Sequence, residues 1–419
     1  MVLPLLLSLS FVAQTPSSNP SSVQRWTEDI DFLVQSLSAR GVSFVAGEFA
    51  SRGQKNFEKV YPPAQFQAAI HALKERLPGL SDSQVVLELM RIIATAKISH
   101  NNIGMPGTMG FENRLPITLR WYADGLIVVS ATQEYATAAG LRIAKIGDRT
   151  PDQVLESLTP YIAQENKVWP RIESERLLPV QSFYAHLGLL DSDGHLPLTL
   201  ERLDQPPLQL RVPFRSKPEP QTSFRTLLKL PTPVYASGPN SIYWFRYFED
   251  SRTLFIMYSA CANDPKLPMG KFASQVAKEL DSRPIDRVVL DLRFNGGGNE
   301  RVINPLKNAI TKHEKARGKL FVLIGARTFS SAIDNAIALK RSGATLVGEP
   351  TGGRPSSYGE VKTVTLPNSK LLVRFTTKFD NVPASLDFDE LRPDVLAPLT
   401  FGEVRFGRDS GLAAAIAAK

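Results

Sequence analysis

The stretch Asp291-Leu292-Arg293-Phe294-Asn295-Gly296-Gly297-Gly298-Asn299 decides the fold. It continues the apolar run Val288-Val289-Leu290, so a short buried strand enters a triple glycine and then helical sequence. Glycines at such a junction let backbone N–H groups face a ligand without interference from Cβ. Those donors suit a phosphate or an oxyanion. The Lys-Ser/Thr ending of a phosphate-binding P-loop is missing here, which disfavours phosphate.

Outward from this point, strands and helices alternate. NSIYWFRYF and TLFIMYSA read as strands before it, with the helix FASQVAKELDS following. After it come the helix VINPLKNAITKHEK, the strand KLFVLIG, the helix SSAIDNAIALKRSG and the strand ATLVGEP. This succession predicts an α/β layered core over residues 234–419. Its end reads as a β-ribbon, KTVTLPNSKLLVRFTTKF, and a tail helix.

A second junction lies at Gly325-Ala326-Arg327-Thr328-Phe329-Ser330-Ser331-Ala332. A strand ends in a turn, and Ser331 opens a helix. A side chain there meets the positive end of the helix dipole, and the Ala332 N–H points the same way. Serine is equally the residue that caps a helix. The local sequence therefore leaves cap and nucleophile both open.

The first part of the chain differs in character. Residues 23–105 read as a helical region: WTEDIDFLVQSL, PPAQFQAAIHALKERLPGL and SDSQVVLELMRIIATAK carry apolar residues at three- and four-residue spacings. Residues 106–216 read as a β-rich domain, with LPITLRWY, GLIVVSA and LTLERL as strands. Within it LRIAKIGDRTPDQVLESL gives strand, Gly-Asp turn and helix, and resembles the carboxylate-binding half of a PDZ domain. The segment Tyr161–Leu190 fits no simple strand order. Lys217–Pro233 reads as a Pro-rich linker. At the start, MVLPLLLSLSFVAQ followed by TPSSNPSS reads as an export signal and flexible leader over residues 1–22, although no Lys or Arg precedes the apolar run. No later segment is long and apolar enough to span a membrane.

Composition narrows the partners. The chain has 419 residues and a formal net charge of +8. Its Lys and Arg are dispersed without a dense basic run, which argues against nucleic-acid binding. The single cysteine, Cys261, rules out a disulfide framework or a Cys-based zinc site, and its apolar neighbours mark it as a small core residue.

DLRFNGGG, then TFSSAIDNA, then LVGEPTGG, in that order, resemble peptidase family S41, the tail-specific (C-terminal-processing) and tricorn-like serine peptidases. The resemblance covers roughly Leu254 to Pro398. It implies a ClpP/crotonase-like α/β core with a PDZ-like module before it. It implies Ser331 as nucleophile, because Asp334 holds the acidic place three residues on and so selects Ser331 over Ser330. It also implies an oxyanion hole from the N–H of Gly297 or Gly296 and that of Ala332.

Many members place a Lys base just after the Gly-Glu-x-Thr turn. This chain has Arg354 there, which stays protonated and cannot act as a base; Lys362 is a nearby, poorer substitute. The tricorn-like pattern implies instead a histidine preceded by serine, here Ser99-His100, although Ile98-Ser99-His100-Asn101 keeps its motif only in part. The acid of that pattern falls at Asp387, with Asp389 beside it, and Glu360 competes for the role. No metal or organic cofactor is implied. The partner is a protein or peptide substrate met after export. Two other readings stay open: a non-catalytic binding protein on the same fold, as in the family's retinoid-binding members, and a crotonase-like enzyme acting on acyl-CoA.

Overall fold

A computed structural model describes residues 21–39 and 64–418, apart from 381, 384, 386 and 387. The expected export signal falls outside these residues except for Ser21 and Ser22. Three amphipathic helices come first. α1 (Ser22–Ala39) buries Trp26, Ile30, Leu33 and Leu37, and α2 (Ala64–Arg76) buries Phe66, Ile70 and Leu73. α3 (Asp82–Ala94) opens with a reciprocal capping box between Ser81 and Gln84, which satisfies two N-terminal N–H groups. Asp82 also accepts a 2.7 Å hydrogen bond from the Trp26 indole and so ties α1 to α3. His71 is exposed on α2 beside Glu75. A short turn then leads into β1 (Asn102–Ile103).

The β-rich domain follows. β2 (Ile117–Tyr122), β3 (Gly125–Ala131), β4 (Arg142–Ile146), β5 (Leu196–Arg202) and β6 (Gln205–Val212) form one antiparallel sheet in the order 2-3-4-5-6. α4 (Pro151–Leu158) starts as its sequence dictates, with a Thr150–Gln153 capping box and Pro151 at the first turn. The segment that fitted no strand order is helical: α5 (Trp169–Leu177) and α6 (Gln181–His186) occupy it. α5 is fixed to β2 by the Trp121 indole, which donates to Ser174 Oγ at 3.0 Å.

The expected linker is only partly a linker. β7 (Thr222–Ser223) pairs with β3, and α7 (Phe224–Leu228) buries Phe224 against the domain. The cause lies in Gln221, whose side-chain oxygen accepts from the hydroxyls of Thr118 and Ser130 at 2.8 Å each. Proline content alone did not reveal this anchor.

The α/β core is built on a six-stranded sheet. Its strands are β8 (Tyr243–Phe248), β9 (Thr253–Tyr258), β10 (Arg287–Asp291), β11 (Leu320–Ile324), β12 (Thr345–Gly348) and β15 (Val395–Leu396), in the order 15-12-11-10-9-8. Only β8 runs antiparallel to its neighbour. Alternate residues face opposite layers, as a two-residue repeat requires. Leu254, Ile256, Val288, Leu290 and Val322 pack with α8 (Met269–Ser282), α9 (Asn304–Thr311) and α10 (Ser331–Arg341). Phe255, Val289, Phe321 and Leu323 face the other way, towards Leu412 and Ala415. Those two residues belong to α12 (Ser410–Ala417), which follows the short α11 (Phe401–Val404).

The C-terminal ribbon leaves this sheet. β13 (Ser357–Thr365) and β14 (Leu372–Asp380) pair antiparallel, and β1 adds to the free side of β14 with Asn102 opposite Arg374. The ribbon thereby draws the end of the helical region against the core.

Candidate active site

Two turns at the C-terminal ends of β10 and β11 meet face to face. Their meeting requires glycine. Gly297 has φ +97°, and a Cβ there would lie 2.6 Å from Ser330 Cβ and 2.9 Å from the Phe329 carbonyl oxygen. Asn295 organises the contact. Its buried amide donates to the Tyr258 carbonyl at 2.9 Å, its side-chain oxygen accepts from the Gly297 N–H at 2.9 Å, and its carbonyl accepts from the Phe329 N–H at 3.0 Å. The sequence reading passed over Asn295 because an asparagine before glycines looks like an ordinary turn residue.

Ser330 precedes α10 with φ +52° and ψ −135°, a region sparsely populated by residues other than glycine, and makes no side-chain cap. Ser331 is the first helical residue. Its hydroxyl donates to the Gly298 carbonyl at 2.8 Å. The two serines are thus distinguished: Ser330 takes the strained backbone and Ser331 the position against the glycine turn. The Gly297 N–H is held by Asn295, and the Ala332 N–H donates to the Phe329 carbonyl at 3.1 Å. Gly296 has open space where a Cβ would stand.

His100 reaches this place through the ribbon. Asn101 accepts from the Thr376 N–H and hydroxyl at 3.0 and 3.2 Å, and the Gly104 N–H donates to the Leu372 carbonyl at 2.7 Å. The His100 ring packs on Phe329 with centroids 4.5 Å apart. Both ring nitrogens are buried without a hydrogen-bond partner. Burial pulls the imidazole pKa down to about 4, against the opposing pull of the Asp380 carboxylate. His100, Ser331, Gly296, Gly298, Asp334 and Glu360 open on one cleft of about 640 Å³.

The acids are distributed unevenly. Asp387 lies outside the described residues. Asp389 is exposed and 3.5 Å from Arg354, itself in the cleft wall. Glu360 sits on β13 with φ +50°. Lys362 is exposed on the same strand, opposite Phe375, and is not among the residues that line the cleft. Two acids not singled out by sequence lie here. Asp380 pairs with Lys378 at 2.7 Å and faces His100. Glu165, from the β-rich domain, donates its N–H to the buried Ser99 hydroxyl at 3.1 Å. Burial raises the Asp334 carboxyl to about 6, with Glu300 and Asp380 adding to the effect. Among the described residues, no group of three or more His, Cys, Asp or Glu side chains could hold a metal ion.

Behind the glycine turn lies a buried ion triad. Arg293 makes paired bonds to Asp291 (3.0 and 2.6 Å) and to Asp409 (2.7 Å each). Asp409 is also the N-cap of α12, so the triad ties the last helix to the start of the glycine turn.

No protein-family model matches the sequence, and no curated protein matches it. Solved structures do match. Mature CPAF complexed with lactacystin aligns over 94% of this chain and 97% of its own, with a TM-score of 0.63 at 14% identity. A second structure of mature CPAF aligns over 94% and 96%, with the same TM-score and identity. A photosystem II D1 C-terminal processing protease aligns over 94% and 99%, at a TM-score of 0.39 and 14% identity. The chain has the fold of the S41 peptidases, as the resemblance of DLRFNGGG and TFSSAIDNA implied.

Proposed function

We propose that the chain is a serine-type peptidase in which Ser331 is the nucleophile and His100 the base. The observation that carries this reading is the opening of Ser331 and His100 on one cleft above the glycine turn. The β-rich domain is read as a PDZ-like module that presents substrate, and the α/β core as ClpP/crotonase-like. The apolar start of the chain supports exported proteins or peptides as substrates.

The reaction begins with a change of partner. The Ser331 hydroxyl leaves the Gly298 carbonyl and turns to His100. Such catalytic hydrogen bonds commonly tighten only when substrate is bound. His100 takes the hydroxyl proton as Oγ attacks the peptide carbonyl. The oxyanion needs two N–H donors: one from Gly297 or Gly296, the other from Ala332. Gly297 then exchanges its bond to Asn295 for one to the oxyanion. His100 passes the proton to the leaving amine, and water attacks the resulting ester with the same residue as base. Glu360 opens on the cleft, and Asp387 is the other acid that the sequence pattern offers for steadying the imidazolium.

A second reading, a non-catalytic binding protein, draws on the Ser331–Gly298 hydrogen bond and the unpartnered imidazole. Incubation of the wild type and Ser331→Ala with an unfolded protein substrate separates the two. New peptide termini, produced by the wild type alone, support the peptidase. Retention of intact substrate by both proteins supports the binder.

A further inference from the structure

The β-rich domain packs against the turn that carries His100, and one carboxylate it places there has no assigned work. Glu165 lies between α4 and α5 and is only 8% exposed. Its N–H donates to Ser99 Oγ at 3.1 Å, and Ser99 immediately precedes His100. Both carboxylate oxygens are buried without a hydrogen-bond partner. The polar groups nearest them are the N–H of Arg354, the N–H and hydroxyl of Ser99, and the Arg354 charge, none in good bonding geometry. A buried carboxylate left in this state opposes folding. An amide of the same shape would fill the space at a smaller desolvation cost than the charged carboxylate.

The segment that carries Glu165 is fixed firmly. The Asn166 amide donates to the Thr351 and Asp389 carbonyls at 3.2 and 3.0 Å, and its oxygen accepts from the N–H groups of Val168 and Trp169 at 3.0 Å each. Trp169 then stacks on Phe329, the ring that His100 also touches. Backbone, amide and ring together deliver Glu165 to the rear of the Ser99–His100 turn.

We propose that Glu165 is a positioning residue of this site, acting on His100 through Ser99, so that the β-rich domain completes the catalytic arrangement. The proposal rests on the reading of Ser331 and His100 as nucleophile and base. The Ser99 hydroxyl accepts from the Glu165 N–H and keeps its own proton to donate to the carboxylate. The bond from the Glu165 N–H fixes the peptide that carries the imidazole, and a turn of the Ser99 hydroxyl to the carboxylate would tighten it. No bond is made or broken at Glu165, and the proton stays on His100 until the amine leaves. The other charges facing the pair are Arg354, beside Glu165, and Asp380, beside His100.

The test compares wild type and Glu165→Gln in saturation kinetics of labelling by a fluorophosphonate probe, with thermal melting of each protein. Glu165→Gln is expected to lower the maximal labelling rate at least ten-fold, leave the half-saturating concentration unchanged, and melt no lower than wild type. Labelling of Glu165→Gln at the wild-type rate, or a loss of rate that follows a loss of melting temperature, overturns the proposal. Should Glu165→Gln fail to fold, Ser99→Ala cuts the same link from the other end. The same ten-fold loss is expected there, and a wild-type rate overturns the proposal. A wild type that neither labels nor cleaves peptides overturns the reading of the site itself. A labelled wild type with an unaffected Glu165→Gln overturns this inference alone.

Discussion

Trp169 stacks on Phe329 with ring centroids 4.2 Å apart and 14° between the planes. Phe329 lies two residues before Ser331 and meets His100 on its other contact. One aromatic ladder therefore joins the β-rich domain, the nucleophile turn and the imidazole. An aromatic pair contributes about 0.5–1.5 kcal/mol beyond its buried area. Trp169→Ala is expected to slow labelling of Ser331 several-fold and to lower the melting temperature, while Trp169→Phe keeps most of both. Equal rates for Trp169→Ala and wild type would remove the ladder from the account.

The three glycines after Asn295 are not equivalent. Gly297 combines a positive φ with a Cβ position 2.6 Å from Ser330, whereas Gly296 has open space around it. Gly297→Ala is expected to cost more than about 1 kcal/mol and to abolish Ser331 reactivity. Gly296→Ala should fold normally. Chemical denaturation and probe labelling of the two variants side by side check this, and an intact, reactive Gly297→Ala would contradict it.

The pH dependence follows from the buried imidazole. His100 is held at about 4 by burial, so it stays neutral, and able to act as a base, from neutral pH down to about pH 5. Activity should fall only as pH drops through about 4, rather than near the unperturbed value of ~6.5. The same depressed pKa gives stability that is present above the unfolded value and lost as pH falls through the folded one. Asp380 is the opposing influence, and Asp334, lifted to about 6, shares the cleft. Asp380→Asn removes a charge that raises both groups and is expected to move the acid limb to lower pH. Rate profiles measured from pH 3.5 to 8 decide it; a limb that moves upward would refute the assignment of Asp380 as the neighbour of His100.

The triad of Arg293 with Asp291 and Asp409 is wholly buried. Removing one partner of a buried ion pair typically costs about 3–5 kcal/mol, because the remaining charge is stranded. Arg293→Ala leaves two carboxylates so stranded and should lose at least that much in urea denaturation. A loss below about 1 kcal/mol would show that water enters freely behind the glycine turn.

The sequence was most legible where local rules act alone. The run Val288-Val289-Leu290 read as a buried strand, and the glycines after Asn295 as a turn that frees backbone N–H groups. Thr150-Pro151-Asp152 after the Gly-Asp turn read as the opening of a helix, and the structure starts α4 there, adding a capping box between Thr150 and Gln153. Contacts between distant segments were not legible. Trp169, Glu165 and Asp380 carry no motif, and they reach the site only because α5 follows a loop docked on Thr351 and because β14 pairs with β1. The linker was misread for a related reason. Its Pro content was visible, but the grip of Gln221 on Thr118 and Ser130 depends on a sheet that had not yet been assembled. The resting bond from Ser331 to Gly298 likewise belongs to three-dimensional geometry, and no spacing in the chain announces it.

Labelling of the purified protein with a fluorophosphonate probe, in wild type, Ser331→Ala and His100→Ala, tests the central claim most directly. The account predicts one labelled residue, Ser331, by peptide mass spectrometry, with no label on Ser331→Ala and at least a hundred-fold slower labelling of His100→Ala, on the order of a lost general base. Folded wild type that takes no label in the presence of a peptide substrate, or a Ser331→Ala protein labelled as fast as wild type, would contradict it.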